Sequence, residues 1–144
     1  MSFDPERWLQ VANVCCINIP QVDPEALLRT AVNRAYYAAL LSVKRRLDGA
    51  FGPGAVPSSG THHAILQTLQ TGDRFFRIIH DELRSLRDLR NQVDYELAPM
   101  SLVRSDVVKY VDRSRTLIRN RINAMHDEEY RRLRVMTSTD RPER

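Results

Sequence analysis

Six apolar residues set the frame for this chain: Phe75, Ile79, Leu83, Leu86, Val93 and Leu97 recur between Asp73 and Leu97. The odd steps from Leu83 to Leu86 and from Leu86 to Val93 break the alternation a strand needs, and the whole series returns to one face of a helix. An amphipathic helix of this length must bury its stripe against other elements. The rest of the chain repeats the helical signal, so the partners are helices too.

The punctuation divides the sequence. Asp4-Pro5 and Asp23-Pro24 each set an acidic cap before a proline in the first turn. The first start leads into Trp8, Leu9, Val11, Ala12, Cys15, Cys16 and Ile19 and stops at Pro20. The second predicts a helix from Pro24 to about Leu47, whose many alanines allow a neighbouring helix to approach closely. Residues 48–60 are rich in Gly, Pro and Ser and read as a loop, a candidate flap or partner contact. A short helix is expected from Thr61 to about Thr71, and a fourth from Asp73 to Leu97, closed by Ala98-Pro99. Ser101 or Ser105 opens a fifth, carrying Val107, Val108, Val111, Leu117, Ile118, Ile122 and Met125. Beyond His126 the apolar spacing thins to Tyr130, Leu133 and Val135, and a disordered tail is expected from Thr137. The expected fold is all-α, an up-and-down bundle of four to five helices, with one domain over 1–136 and a tail over 137–144.

Composition narrows the function classes. No apolar run approaches transmembrane length, and the first residues lack the basic and apolar regions of a secretion signal. Cys15 and Cys16 are adjacent, which disfavours an unstrained disulfide, so a reduced, cytoplasmic protein is expected, with both thiols packed in a helix. The net charge of +4 over 144 residues permits a nucleic-acid partner without requiring one. One Trp and four Phe give no obvious stacking platform for single strands. From Arg113 to Arg134 seven arginines face Asp127, Glu128 and Glu129, a net of +4 that reads equally as a solvated face or as a patch for RNA or an acidic partner.

The chemistry concentrates in Arg87-Asp-Leu-Arg90-Asn91-Gln-Val-Asp94-Tyr95. Arg87, Arg90, Asn91 and Asp94 share a ridge at i, i+3, i+4 and i+7. Arginine forks suit phosphate oxygens, and a carboxylate four residues away can hold a fork in place. On a helical wheel His80, Arg84, Arg87, Asn91 and Tyr95 fall on the polar side, with Arg90 and Asp94 at its border. The ridge points to a phosphate-handling site for RNA or a nucleotide. Arg34 and Tyr37 lie on neighbouring positions of the second helix, where Tyr36 and Tyr37 are expected to wedge into the bundle with wet hydroxyls. His62 and His63 open the third helix, either as polar helix-start residues or facing the same cleft; adjacent residues point apart, so no metal site is expected there, nor any cofactor.

Arg34 to Ala38, then His62-His63, then Arg90-Asn91-x-x-Asp94-Tyr95 resembles, in order and spacing, the HEPN superfamily, most closely its small stand-alone bacterial members. The resemblance spans Leu27 to Ile122. It implies a helical bundle that dimerises. It also implies metal-independent cleavage of RNA at a composite site where two copies of an Arg-polar-spacer-His signature meet. Such genes often stand beside minimal nucleotidyltransferases or in defence loci, so a nucleotidyltransferase or a defence-complex subunit is an expected partner. Arg90 and Asn91 match the first two signature positions, while Tyr95 stands where the family has His. On this resemblance Arg90 binds the scissile phosphate, Asn91 positions it, Tyr95 takes part of the histidine's role, Asp94 orients an arginine, and Arg87, Arg34, Tyr37 and His62 bind or orient substrate. A tyrosine titrating near 10 is a poor base at neutral pH but can donate a proton or hydrogen bond. Three functions follow: a ribonuclease effector of a toxin–antitoxin or phage-defence system, a non-catalytic subunit binding nucleotide, RNA or a partner protein, or a helical scaffold whose Arg/Asp pairs are only salt bridges.

Overall fold

The computed structural model describes residues 3–136. Its spine is the helix Pro24–Phe51, capped by Asp23, whose carboxylate accepts from the amides of Glu25 and Ala26. The other helices in chain order are Arg7–Cys15, Thr61–Gln70, Arg74–Tyr95, Arg104–Leu117 and Asp127–Arg131, so the six are α1 to α6 with the spine as α2. A π-helical turn, Ile118–Ile122, continues α5. The described residues contain no strand, and α2 packs against each of the other five helices. The all-α helical bundle expected from the sequence is what forms, with six α-helices among the described residues. The expected tail from Thr137 lies outside the described residues. No helix among the described residues is long and apolar enough to cross a membrane.

The alanines of α2 do what their size permits. Ala31, Ala35, Ala38 and Ala39 are fully buried, and α5 comes close enough for Ser114 Oγ to donate to the Ala35 carbonyl at 2.7 Å. The buried apolar side chains form one continuous core. Cys15 and Cys16 are free and buried at its edge, and burial pushes both thiols above their ordinary pKa.

Several boundaries move. α2 runs four residues beyond Leu47, because Lys44 pairs with Asp48 at 2.6 Å and Gly52, at φ +102°, closes the helix on the Asp48 carbonyl. The expected loop over 48–60 shortens accordingly. α1 ends at Cys15, well before Pro20, and α5 starts at Arg104 after Val103, so neither Ser101 nor Ser105 caps it. The expected stripe of α4 shifts at its ends: Phe76 is buried in place of Phe75, and Leu97 is 98% exposed beyond the helix. His80, expected on the polar side, is only 6% exposed. The reason is that α4 is covered by α2 and by α3, so its buried arc is wider than one stripe. Val108, expected in the core, faces outward, and Tyr110 and Ser114 occupy that side of α5 instead.

Tyr130 anchors α6, beside an ion pair from Arg46 to Asp127 at 3.3 Å. Tyr130 is fully buried, donates to the Ile122 carbonyl at 2.7 Å, meets Phe76 edge-on and lies under the Arg46 guanidinium. Burial pushes its phenol well above the usual range. The chain then crosses the α3–α4 corner at Gly72, where a Cβ would stand 2.6 Å from Leu133 and Phe76.

Candidate functional site

α2, α3 and α4 meet around Arg90. This arginine is 6% exposed, yet it is a cation at any ordinary pH. Its side chain is held by groups from all three helices. One terminal nitrogen donates to Asn91 Oδ1 at 2.8 Å. The other donates to the Tyr37 hydroxyl at 3.2 Å and faces His62 Nε2 at 3.4 Å. Its guanidinium carbon lies 5.2 Å from the Tyr36 ring centre and 5.4 Å from that of Tyr37, within cation–π range. Asp94 Oδ2 stands 3.4 Å from Nε, an ion pair without hydrogen-bond alignment, so the buried Nε–H keeps an unused donor.

The ring chemistry fixes the proton on His62. A guanidinium can only donate, so Nε2 must be the acceptor and neutral His62 carries its proton on Nδ1. Nδ1 is 2.9 Å from the Tyr36 hydroxyl, and the two rings stack within 8° of parallel. Burial, then the charges of Arg90 and Arg87, lower the His62 pKa to about 4. Burial raises that of Tyr36 to about 12. Both groups are therefore neutral at pH 7.

Asp94 links this cluster to a second arginine. Asn33 Nδ2 donates to both of its oxygens, at 3.1 and 3.0 Å, and Arg34 donates to Asn33 Oδ1. Arg34 also lies over the rings of Trp8 at 4.6 Å and Tyr37 at 5.4 Å. Arg29 secures the end of α4: it donates to the carbonyls of Val93, Glu96 and Ala98, three acceptors that the helix end leaves open.

Of the residues singled out in the sequence, Arg90, Asn91, Asp94, Tyr37 and His62 come together, and Arg34 joins through Asn33 and Tyr37. Arg87 instead lines a groove between α3 and α4, beside Asn91. Tyr95 stands apart: it is 75% exposed on the α2–α4 groove and makes no hydrogen bond, ion pair or ring contact with Arg90 or His62. The histidine in contact with the arginine comes from α3. Tyr36 is fully buried with its hydroxyl on His62, not wet as expected. Asn33 and Trp8 were missed as members. Asn33 carried a signal, since it lies one turn before Tyr36 and Tyr37 on the same helix; Trp8, distant in sequence, carried none.

Part of the arginine-rich C-terminal stretch is committed within the fold. Arg113 donates to Ser85, Arg115 to Asp112 and Asn13, and Arg119 to Glu6. Among the described residues no group of three or more His, Cys, Asp or Glu side chains gathers as metal ligands. Comparison with family models, curated proteins and solved structures found no match for this chain.

Proposed function

We propose that this protein is an HEPN-like effector directed at RNA, a metal-independent ribonuclease of a toxin–antitoxin or phage-defence system. The observation that carries the reading is the contact between the Arg90-Asn91 pair and a neutral histidine, His62, supplied by a different helix. In the reaction the ribose 2′-oxygen attacks phosphorus and gives up its proton, the bond to the 5′-oxygen breaks, and that oxygen takes a proton. The products are a 2′,3′-cyclic phosphate and a 5′-hydroxyl. Arg90 and its unused Nε–H serve the charge of the phosphorane. Asn91 holds a phosphate oxygen. A bound phosphate offsets the Arg90 charge beside His62 and makes the imidazole a better base. Tyr95, exposed and with no hydrogen bond or ring contact to its own Arg90, serves as acid or hydrogen-bond donor at the site of a second copy across a two-fold axis.

A second reading is favoured by the burial of Arg90. In it the cluster is structural, and the protein is a non-catalytic subunit that binds a nucleotide, RNA or a partner such as a nucleotidyltransferase. One experiment separates the two. Purified protein, alone and with the product of its neighbouring gene, is incubated with varied single-stranded RNAs in EDTA, and the ends are analysed. The effector reading expects cyclic phosphate ends, abolished by Arg90→Ala and strongly reduced by Arg90→Lys, which keeps the charge but loses the fork. RNA binding without cleavage establishes the subunit reading. Cleavage that survives Arg90→Ala overturns the assigned site.

A further inference from the structure

Two open grooves flank the Arg90 cluster, and their side chains differ in what they have left to offer. The groove between α2 and α4, about 630 Å³, is lined by Arg29, Arg34, Asp94 and Tyr95 among others. Its two guanidiniums are already engaged: Arg29 with three carbonyls and Glu25, Arg34 with Asn33 and two rings. Asp94 adds a carboxylate to the same lining.

The groove between α3 and α4, about 540 Å³, is the reverse. Arg84 and Arg87, one turn apart on α4, line it, and neither has an ion-pair or hydrogen-bond partner among the described residues. Nε of Arg87 and Oε1 of Gln67, facing from α3, are buried and unsatisfied. Buried polar atoms are paired in the great majority of cases, and two of the five unmatched side-chain atoms among the described residues belong to residues of this one groove. His63 adds an exposed ring to the rim, and Asn91, whose carbonyl accepts from Arg90, connects the groove to the buried cluster. Asp88 is the single carboxylate in the lining.

We infer that the α3–α4 groove is the path of the RNA strand, with Arg84 and Arg87 each taking a backbone phosphate next to the one at Arg90. The inference rests on the RNA-directed reading above and assigns the strand to one of the two grooves. Two cations a helical turn apart match consecutive phosphates of a bent single strand better than one compact anion. Gln67 then offers its carboxamide to a base edge, and His63 a face for stacking.

The test is fluorescence anisotropy with a labelled 2′-deoxy-uridine 12-mer, which cannot be cleaved by the mechanism above, titrated with the full chain across a salt series. The double variant Arg84→Gln/Arg87→Gln removes both groove cations. The control Arg131→Gln/Arg132→Gln removes the same charge from exposed positions on α6 and its end. The expected result is a loss of affinity of about tenfold for the groove pair, with the log–log salt slope falling by about 1.4, since each single-strand phosphate contact contributes roughly 0.7. The control changes affinity less than about twofold. Equal losses from both pairs overturn the groove assignment in favour of diffuse charge attraction. Wild-type binding that the groove pair leaves intact overturns the groove while sparing the RNA reading. Absence of wild-type binding to this strand and to its ribo-uridine counterpart overturns both. Arg84→Gln alone, at an exposed position, repeats the measurement with no burial change, and a matching urea midpoint certifies each variant as folded.

Discussion

His62 is the residue whose state couples most directly to solution conditions. Its pKa falls from the ordinary 6.5 to about 4 in the folded protein, chiefly by burial and then by Arg90 and Arg87. As pH drops below about 6.5 the unfolded chain therefore takes up a proton that the folded chain refuses, and stability declines until about pH 4, where both states are protonated. Urea midpoints measured from pH 7 to pH 4 should fall more steeply for the wild type than for His62→Gln, which lacks the titrating group; parallel curves would mean that the imidazole is solvated and free of Arg90. Asp94 makes a different case. It accepts two hydrogen bonds from Asn33 and faces the unused Nε–H of buried Arg90. Asp94→Ala strands a buried cation on one side and an amide on the other, so it should cost about 1–3 kcal/mol, above the 0.2–1 of exposed pairs. A urea midpoint unmoved by the substitution would show the pair to be structurally idle.

At the level of elements, the site depends on where α4 stops. The sequence extends that helix to Leu97 on the strength of an apolar residue at the right step, and the structure ends it at Tyr95. The deciding force is Arg29 on α2, which draws the Val93, Glu96 and Ala98 carbonyls toward one guanidinium and turns the chain away. Charge-assisted bonds to three carbonyls outweigh the burial of one leucine at a helix end. Arg29→Gln should thus destabilise the protein by about 2 kcal/mol in chemical denaturation. Amide hydrogen exchange should accelerate from Val93 to Ala98 more than in α3; unchanged protection there would assign the helix end to local sequence alone. The same substitution should leave the Asn91–Arg90–His62 contacts in place, because they sit one turn further into α4.

At the scale of the whole molecule, assembly decides the proposal. The proposed composite site requires two copies, since Tyr95 stands away from the Arg90 of its own chain. Light scattering at micromolar concentration should return about twice the 16.7 kDa chain mass. A monomer at every concentration up to 100 µM, on the order of 10⁻⁴ M where even weak specific pairs associate, would remove the shared site and leave the non-catalytic reading. If the dimer forms through α4, Tyr95→Ala should weaken it. A dimer indifferent to that change would place the two-fold axis elsewhere.

The sequence by itself determined the all-α class, because helical periodicity and proline punctuation are local properties of the backbone and of apolar side-chain spacing. It also determined the ridge of Arg90, Asn91 and Asp94, since residues three and four apart on a helix must be neighbours. It set Arg34 and Tyr37 on neighbouring positions of one helix and His62 at the start of another, and tied them to that ridge only through a resemblance, with no means of bringing three helices together. What the tertiary structure decided is which groups reach Arg90. Docking α3 on α4 buried His80, set His62 against the guanidinium and lowered its pKa. Packing of α2 brought Tyr36, Tyr37 and Asn33 to the same cluster, and α1 laid Trp8 on Arg34. Tyr95, next to Asp94 in sequence, was left outside because consecutive residues on a helix point about 100° apart. Periodicity sets the face on which a side chain leaves its own helix; the crossing of two helices sets what it meets.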